Sequence, residues 1–438
     1  NESSSSLPSY CQAQVGSTRI ATPPLLPRVF CKTKEIRVKN IFTSIHIFQK
    51  EELMDKFEKD TSPIQKPKKR LLFVISRFLD GGIDTVLIEY LRHIVKEQDF
   101  IVTLAIGVQM NELEVFTASL PKEVKVFYFN KSKWLTHYPI RRVKGTISKP
   151  MKIVDEVLLN PFRRNSIGKG LRRMAAFNDV VIDFACSYPS FLSAIKKPKI
   201  GFYHFSLPND IANNKHIKKR IYKRMSKYDR IITISKAMET QFIENFPELA
   251  CRVRMIYNAK DAELLRQKAE DKSVKTPETD KYLLAVERLE ESQKDITTLL
   301  HAMKMLKEEH KVNMPLYILG KGKSEQQLKD LATELGIEDN VKFVGFTPNP
   351  YPWIKNCAIL LHSAKFEGLP TVLIEGLLLN KFIISSDCPT GPREILSNGE
   401  VGILVPTGDA RGFTNGIRKI LYDENERKRI LKGIEAHQ

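Results

Sequence analysis

Short unbroken apolar runs recur along this chain with helix-like segments between them, and this alternation restricts its fold more than any other feature. Leu71–Ser76, Phe100–Gly107, Val124–Phe129, Asp179–Phe184, Lys199–His204 and Arg230–Ser235 read as strands. Runs of that length with no polar face belong to strands covered on both sides, as in parallel sheets. The first run leads through Arg77-Phe-Leu-Asp-Gly-Gly82 into a segment with Val86, Leu87, Tyr90, Leu91, Ile94 and Val95 on one helical stripe. A strand, a Gly-Gly turn and a helix open a doubly wound unit, where glycine lets the backbone approach a ligand. The pattern predicts parallel βαβ units and an α/β fold.

The alternation pauses at Ala259–Thr279, a charged segment poor in large apolar residues that holds Pro277, and then resumes. Tyr282–Leu289, Leu316–Gly322, Val341–Phe346 and Cys357–His362 read as further strands, with helices over Ile296–Leu306, Thr371–Leu379, Asp409–Tyr422 and Glu424–Ile434. At 438 residues the chain exceeds one ordinary core. The expected organisation is an N-terminal extension over 1–66, a first domain over 67–260, a linker over 261–280 and a second domain over 281–438. The extension is Ser-rich, with scattered prolines and one possible helix over Gln49–Lys59. It lacks the apolar core of a signal peptide, which argues against secretion. No apolar run approaches the roughly 18 residues of a membrane span. Six cysteines form no C-x-x-C pair and no cluster with the nine histidines, so free thiols, a reducing compartment and no structural zinc are expected.

Charge is distributed unevenly. Residues 281–438 carry 21 Lys and Arg against 21 Asp and Glu, so the whole net charge of +19 sits in the first 280 residues, 49 against 30. Lys131–Arg173 holds 12 basic residues against Asp155 and Glu156 alone. Lys215–Arg230 holds 8 against one acid, with Ile217, Ile221, Met225 and Tyr228 at helical spacing. Such a segment suits either an interfacial helix or a solvated one covering its own domain. Basic surfaces attract nucleic acid, anionic membranes or anionic substrates. These basic residues lack the interleaved aromatics of single-strand platforms and belong to no known nucleic-acid module, which leaves a nucleic-acid-binding protein as a distant alternative.

Most chemistry is concentrated in Ser363-Ala-Lys-Phe-Glu-Gly-Leu-Pro-Thr-Val-Leu-Ile-Glu375. A buried strand precedes it, and Pro370 opens a helix within it. Such a turn aims unpaired backbone N–H groups and the positive end of a helix dipole into the crevice at the strand's carboxyl end, which suits a phosphate. Glu367 and Glu375 flank the turn, and a carboxylate matches a vicinal diol. A ligand with both phosphate and sugar is implied.

The pattern Ser-x-x-x-Glu-Gly-Leu-Pro-x-Val-x-x-Glu resembles the signature of family 4 retaining glycosyltransferases of the GT-B fold, and Asp387–Glu394 and Gly399–Pro406 resemble the same family in the expected order. The resemblance covers roughly residues 70–435. It implies two Rossmann-like doubly wound domains facing a central cleft, the first binding an acceptor and the second a nucleotide sugar. By the same resemblance Glu375 faces the ribose, Glu367 the transferred sugar and His204 the donor sugar, while Arg288 and Lys294 grip the diphosphate. Gly81 and Gly82 line acceptor and donor phosphate, Gly368, Leu369, Pro370 and Thr371 form the substrate-binding turn, and Asn258 precedes the linker. One departure stands out, for Glu287 occupies the position where the family usually has Gly.

The implied activity is retaining transfer of a hexose-type sugar from a nucleotide diphosphate sugar, UDP favoured, to a glycan or lipid-linked acceptor in cell-surface polysaccharide synthesis. Arg288, Lys294 and the helix end after Pro370 would meet the leaving group's charge. No Asp-x-Asp lies on a suitable loop, so no metal ion and no cofactor are expected. The basic first domain fits a cytoplasmic protein peripheral on an anionic membrane leaflet. A GT-B sugar phosphorylase or a nucleotide-sugar epimerase shares the architecture and is the alternative. Family members continue into a long helix crossing back to the first domain, and this sequence ends at Gln438 before it.

Overall fold

The computed structural model of the chain describes residues 67–437 apart from Asp80, Asn209, Asp210, Ala212 and Asn213, and the helix expected over Gln49–Lys59 lies outside them. Among the described residues, Lys69–Ile75 (β1), Phe100–Val108 (β2), Lys125–Asn130 (β3), Val180–Asp183 (β4), Lys199–Tyr203 (β5), Arg230–Thr233 (β6) and Val253–Met255 (β7) form one sheet. Leu283–Val286 (β8), Leu316–Leu319 (β9), Val341–Gly345 (β10), Ile359–His362 (β11), Phe382–Ser386 (β12) and Ile403–Val405 (β13) form another. The orders are β3-β2-β1-β4-β5-β6-β7 and β10-β9-β8-β11-β12-β13, parallel throughout. Winding reverses beside β1 in the first sheet and beside β8 in the second. At such a switch point, loops leaving neighbouring strands part and open a crevice at the strands' carboxyl ends.

The unbroken apolarity of Leu71–Ile75 in β1 has a direct structural cause. Leu71, Phe73 and Ile75 enter one core with Val86, Leu87, Tyr90, Leu91 and Ile94 of helix α1 (Gly82–Lys96). Leu72 and Val74 enter the other, with Leu171 and Tyr228. Successive side chains point to opposite faces, so a strand covered on both sides must be apolar at every position. Each fully buried side chain contributes about 1.5–3 kcal/mol.

The helices used below are α2 (Lys133–Val143), α3 (Lys149–Val154), α4 (Asn160–Ala176), α5 (Lys215–Met225), α6 (Lys236–Asn245), α7 (Ala262–Ala269), α8 (Ile296–His310), α9 (Tyr351–Asn356) and α10 (Thr371–Leu378). Two of them change the sequence reading. The segment read as a linker carries α7, which Asp261 caps by accepting from the Leu264 amide at 3.1 Å. Leu265 and Ala269 are buried, and Leu265 joins the second sheet's core. Two turns with a narrow apolar stripe among charges carry too weak a periodic signal to be recognised alone. The stripe of α5 is also spoken for: Met225 and Tyr228 are buried and Ile217 and Ile221 pack on the first sheet's core. The interfacial reading of α5 therefore fails in favour of the covering one, and only its basic face is available to solvent.

Glu287, at the departure from the family pattern, leaves the backbone path intact. Its amide donates to the Leu319 carbonyl at 2.9 Å, continuing the β8–β9 pairing. The neighbouring Gly320 makes this approach possible: at φ +147° a Cβ there would lie 1.8 Å from the Glu287 carbonyl oxygen. Gly320→Ala should therefore cost about 1–3 kcal/mol through overpacking and backbone strain, read as a lowered melting temperature; an unchanged melting temperature would contradict this packing.

Candidate active site

The second sheet's switch point gathers a buried ionic cluster. The loop after β8 brings Glu287 and Arg288, the approach to α8 brings Lys294, and the end of β11 brings His362 and Ser363. Lys294 forms an ion pair with Glu367, with side chains 12% and 10% exposed. A bridge between Lys294 and Ala364 fixes the lysine backbone alongside the loop. His362 is fully buried; its Nε2 lies 3.5 Å from Lys294 Nζ and 3.6 Å from Glu367 Oε1, and its Nδ1 lies 2.9 Å from Ser385 Oγ. Glu287 Oε1 accepts from the Ser363 amide at 2.7 Å, and its Oε2 is buried without a partner.

These contacts set the charges. Burial opposes ionisation of Glu367, but Lys294 and His362 bring its carboxyl down to about 2. Burial likewise opposes the Lys294 charge, yet Glu367 and Glu287 outweigh it and raise the ammonium's pKa. For Glu287 the balance reverses, and burial pushes its carboxyl up despite Lys294 and His362. Glu367 is thus a permanently ionised acceptor for hydroxyl hydrogens, with its charge already matched by a cation.

The turn from Glu367 to Thr371 is braced from one side by Thr390, whose amide and hydroxyl donate to the Glu367 carbonyl at 3.2 and 3.1 Å. Gly368, Leu369 and Pro370 are buried. Pro370 is the N-cap of α10, so the first-turn amides of Thr371 and Val372 have no intrahelical acceptor and face an anion-favouring dipole end. Further along α10, Glu375 Oε1 lies 2.6 Å from Lys260 Nζ, with side chains 9% and 4% exposed. Both signature carboxylates are therefore paired to lysines. Arg288 is exposed and engages no carboxylate among the described residues.

Residues from the first sheet meet this turn. A Cβ on Gly368 would lie 2.0 Å from the His204 carbonyl oxygen, and the Ser206 amide donates to the Glu367 carbonyl at 3.3 Å. His204 follows β5 and is 7% exposed; its Nε2–H donates to the Phe184 carbonyl at 2.5 Å, and its ring stacks on Phe202. Burial lowers its pKa to about 4 against that hydrogen bond, so the ring is neutral and offers Nδ1 as an acceptor. Gly81 and Gly82 begin α1, with the Gly81 amide donating to Asp84 at 2.9 Å. A Cβ on Gly82 would meet nothing within 4 Å, so the turn offers room beside the backbone.

Sequence reasoning assigned no role to His362, Glu287, Lys260 or Glu394. His362 ends a strand as His204 does, and that signal was available. Glu287 was marked by its own departure from the pattern. Glu394 accepts from the Lys236 and Ala237 amides at 3.0 and 3.3 Å and from the Tyr257 hydroxyl. A second-sheet carboxylate thereby caps the first-sheet helix α6, a placement favoured by orphan amides and dipole alike.

The neutral His204 gives a pH signature. Its folded pKa lies below the ordinary histidine value, so the stability it allows is full above about 6.5 and declines as pH falls towards about 4. Roughly 2 kcal/mol should be lost through this group between pH 7 and 5. His204→Gln, which keeps a donor to Phe184, should flatten that part of the denaturation profile; an unchanged slope would exclude a buried neutral ring.

Residues 266–436 match the glycosyl transferases group 1 family. The N-acetylgalactosamine-N,N'-diacetylbacillosaminyl-diphospho-undecaprenol 4-alpha-N-acetylgalactosaminyltransferase of Campylobacter jejuni is 33% identical over 203 residues, 46% of this chain and 53% of that protein. The lipopolysaccharide 1,6-galactosyltransferase of Escherichia coli is 27% identical over 241 residues, 53% of this chain and 61% of that protein. The matched parts thus span about half to three fifths of these relatives. The crystal structure of Anabaena HepE in complex with UDP superposes with a TM-score of 0.63 at 16% identity, covering 84% of this chain and 94% of that one. The two-sheet architecture is the GT-B fold, and within it residues 266–436 are those that match the glycosyl transferases group 1 family.

Proposed function

We propose that the protein is a retaining glycosyltransferase that moves a hexose-type sugar from a nucleotide diphosphate sugar, UDP favoured, to a glycan or lipid-linked acceptor in cell-surface polysaccharide synthesis. The observation that carries this reading is the ionised Glu367, held by Lys294 at the amino end of α10, with Glu375 farther along the same helix. A diphosphate fits the helix end and a sugar hydroxyl fits Glu367. A ribose diol fits Glu375. The UDP bound to HepE and the undecaprenol-linked substrate in the Campylobacter enzyme's name support donor and acceptor class.

In the proposed reaction the bond from the anomeric carbon to the diphosphate oxygen breaks as the acceptor oxygen approaches on the same face. The acceptor's proton passes to the departing diphosphate. Lys294, Arg288 and the α10 amides stabilise the negative charge as it develops, in a site partly closed to water. Glu367 is already neutralised by Lys294 and serves to orient sugar, being a poor nucleophile. Neutral His204 accepts a sugar hydroxyl through Nδ1. No metal ion enters this scheme.

UDP should raise the melting temperature, Glu375→Ala should abolish that rise, and UDP release from a UDP sugar should require acceptor and persist in EDTA. If the folded protein is stabilised by none of UDP, GDP and ADP, the donor reading is wrong; acceptor-independent turnover would favour an epimerase.

Membrane association, on the cytoplasmic face, is the further part of the proposal, and its best support lies away from α5. Trp134, Ile153, Val157, Leu158 and Phe162 are 54–63% exposed on α2, α3, the π-helical Asp155–Leu159 and the start of α4. The Trp134 and Phe162 rings meet edge to face at 6.1 Å. Both local acids are neutralised, Asp155 by Arg163 at 2.6 Å and Glu156 by Arg142 at 3.1 Å. Lys133, Lys149 and Lys152 accompany the apolar ridge, which makes an anionic bilayer its fitting occupant. Among the described residues no helix is long and apolar enough to cross a membrane. Vesicles containing phosphatidylglycerol should bind the protein, and Val157→Asp with Leu158→Asp should weaken that binding at least fivefold; equal binding to neutral vesicles would refute an electrostatic contribution.

A further inference from the structure

Lys260 lies where the chain passes from the first sheet to the second, between β7 and α7. Its side chain is almost wholly buried, with Nζ 2.6 Å from Glu375 Oε1 and 3.4 Å from the Tyr351 hydroxyl at the start of α9. Burial works against its charge, but Glu375, Tyr351 and Glu89 hold its pKa above the ordinary lysine range. Glu89 belongs to α1 of the first sheet. Its Oε1 lies 3.2 Å from Arg92, while its Oε2 is buried with no partner. An orphaned acceptor of that kind is costly to leave unfilled. Lys268 of α7 is another cation nearby, and burial together with Arg92 lowers its pKa.

The segment thus has an ammonium on one glutamate, and α1, whose Lys96 pairs at 3.8 Å with Asp261 next to Lys260, brings an unfilled carboxylate oxygen on another. A vicinal diol that spans both Glu375 oxygens competes with Lys260 for Oε1. We propose that Lys260 is a displaceable ammonium with two resting places: Glu375 when the site is empty and Glu89 when a ribose diol occupies Glu375. The inference rests on the nucleotide site proposed above. It makes Lys260 a positioning residue, and it ties occupancy of the second half to a charge contact with the first. Displacement exchanges one carboxylate for another, so the buried ammonium is never left unpaired.

A double-substitution cycle tests it. Glu89→Gln and Lys260→Met preserve size, and the Gln side-chain oxygen can still accept from Arg92, so folding should survive; melting temperatures check this. Calorimetry at pH 7 with UDP should show Glu89→Gln weakening affinity about tenfold in the wild-type background, although Glu89 does not touch the ligand. In the Lys260→Met background the same substitution should have no effect. With 2′,3′-dideoxy-UDP, which lacks the diol, Glu89→Gln should be silent in both backgrounds. Equal effects in both backgrounds, or none in wild type, would overturn the proposal while leaving the nucleotide site standing. If wild type binds none of UDP, GDP and ADP, the nucleotide reading fails and this one falls with it.

Discussion

Burying the Glu367 carboxylate at a strand end costs several kcal/mol unless a cation is buried with it, and Lys294 is that cation. The pair sets much of what surrounds it. It requires Lys294 to run alongside the loop, as the bridge to Ala364 provides. It also permits Glu287 and His362 to sit close by, because a local ammonium offsets the penalty of extra polar groups. The turn at Pro370 then presents its amides to a site whose own charges are already balanced. An incoming diphosphate would meet the uncommitted Arg288 and a helix end instead of a bare carboxylate.

The second constraint is the closeness of the two halves. Ser206 donates to Glu367, and Glu394 reaches from the second sheet to cap α6 on the first. Tyr257 joins that cap, Lys260 pairs with Glu375, and both lie on the segment between the sheets. Contacts that hold the halves and contacts that surround the candidate ligand site therefore share residues. Ligand affinity and the relation between the halves need not be separate properties here.

Much of the architecture was legible because strand segments such as Leu71–Ile75 of β1 are covered on both faces and must be apolar throughout. β12 was harder to read, since Phe382-Ile-Ile-Ser-Ser386 is only five residues long and ends in serines. Those serines serve the site: Ser385 meets His362 and Ser386 receives the Ala364 amide. Glu367 and Glu375 were legible from their motif, but their lysine partners lie 73 and 115 positions away, a distance across which local periodicity carries no information. The same limit hid Glu394. For α5 the ambiguity was physical: a basic amphipathic helix has one pattern whether its apolar side meets lipid or a protein core.

Gly368 carries a consequence of its own. The His204 carbonyl stands where a methyl group would otherwise be, so the two halves meet here across a bare backbone. Any larger residue there would work as a wedge, holding the first-sheet loop off the turn that carries Glu367 without altering a single charge in the ionic cluster.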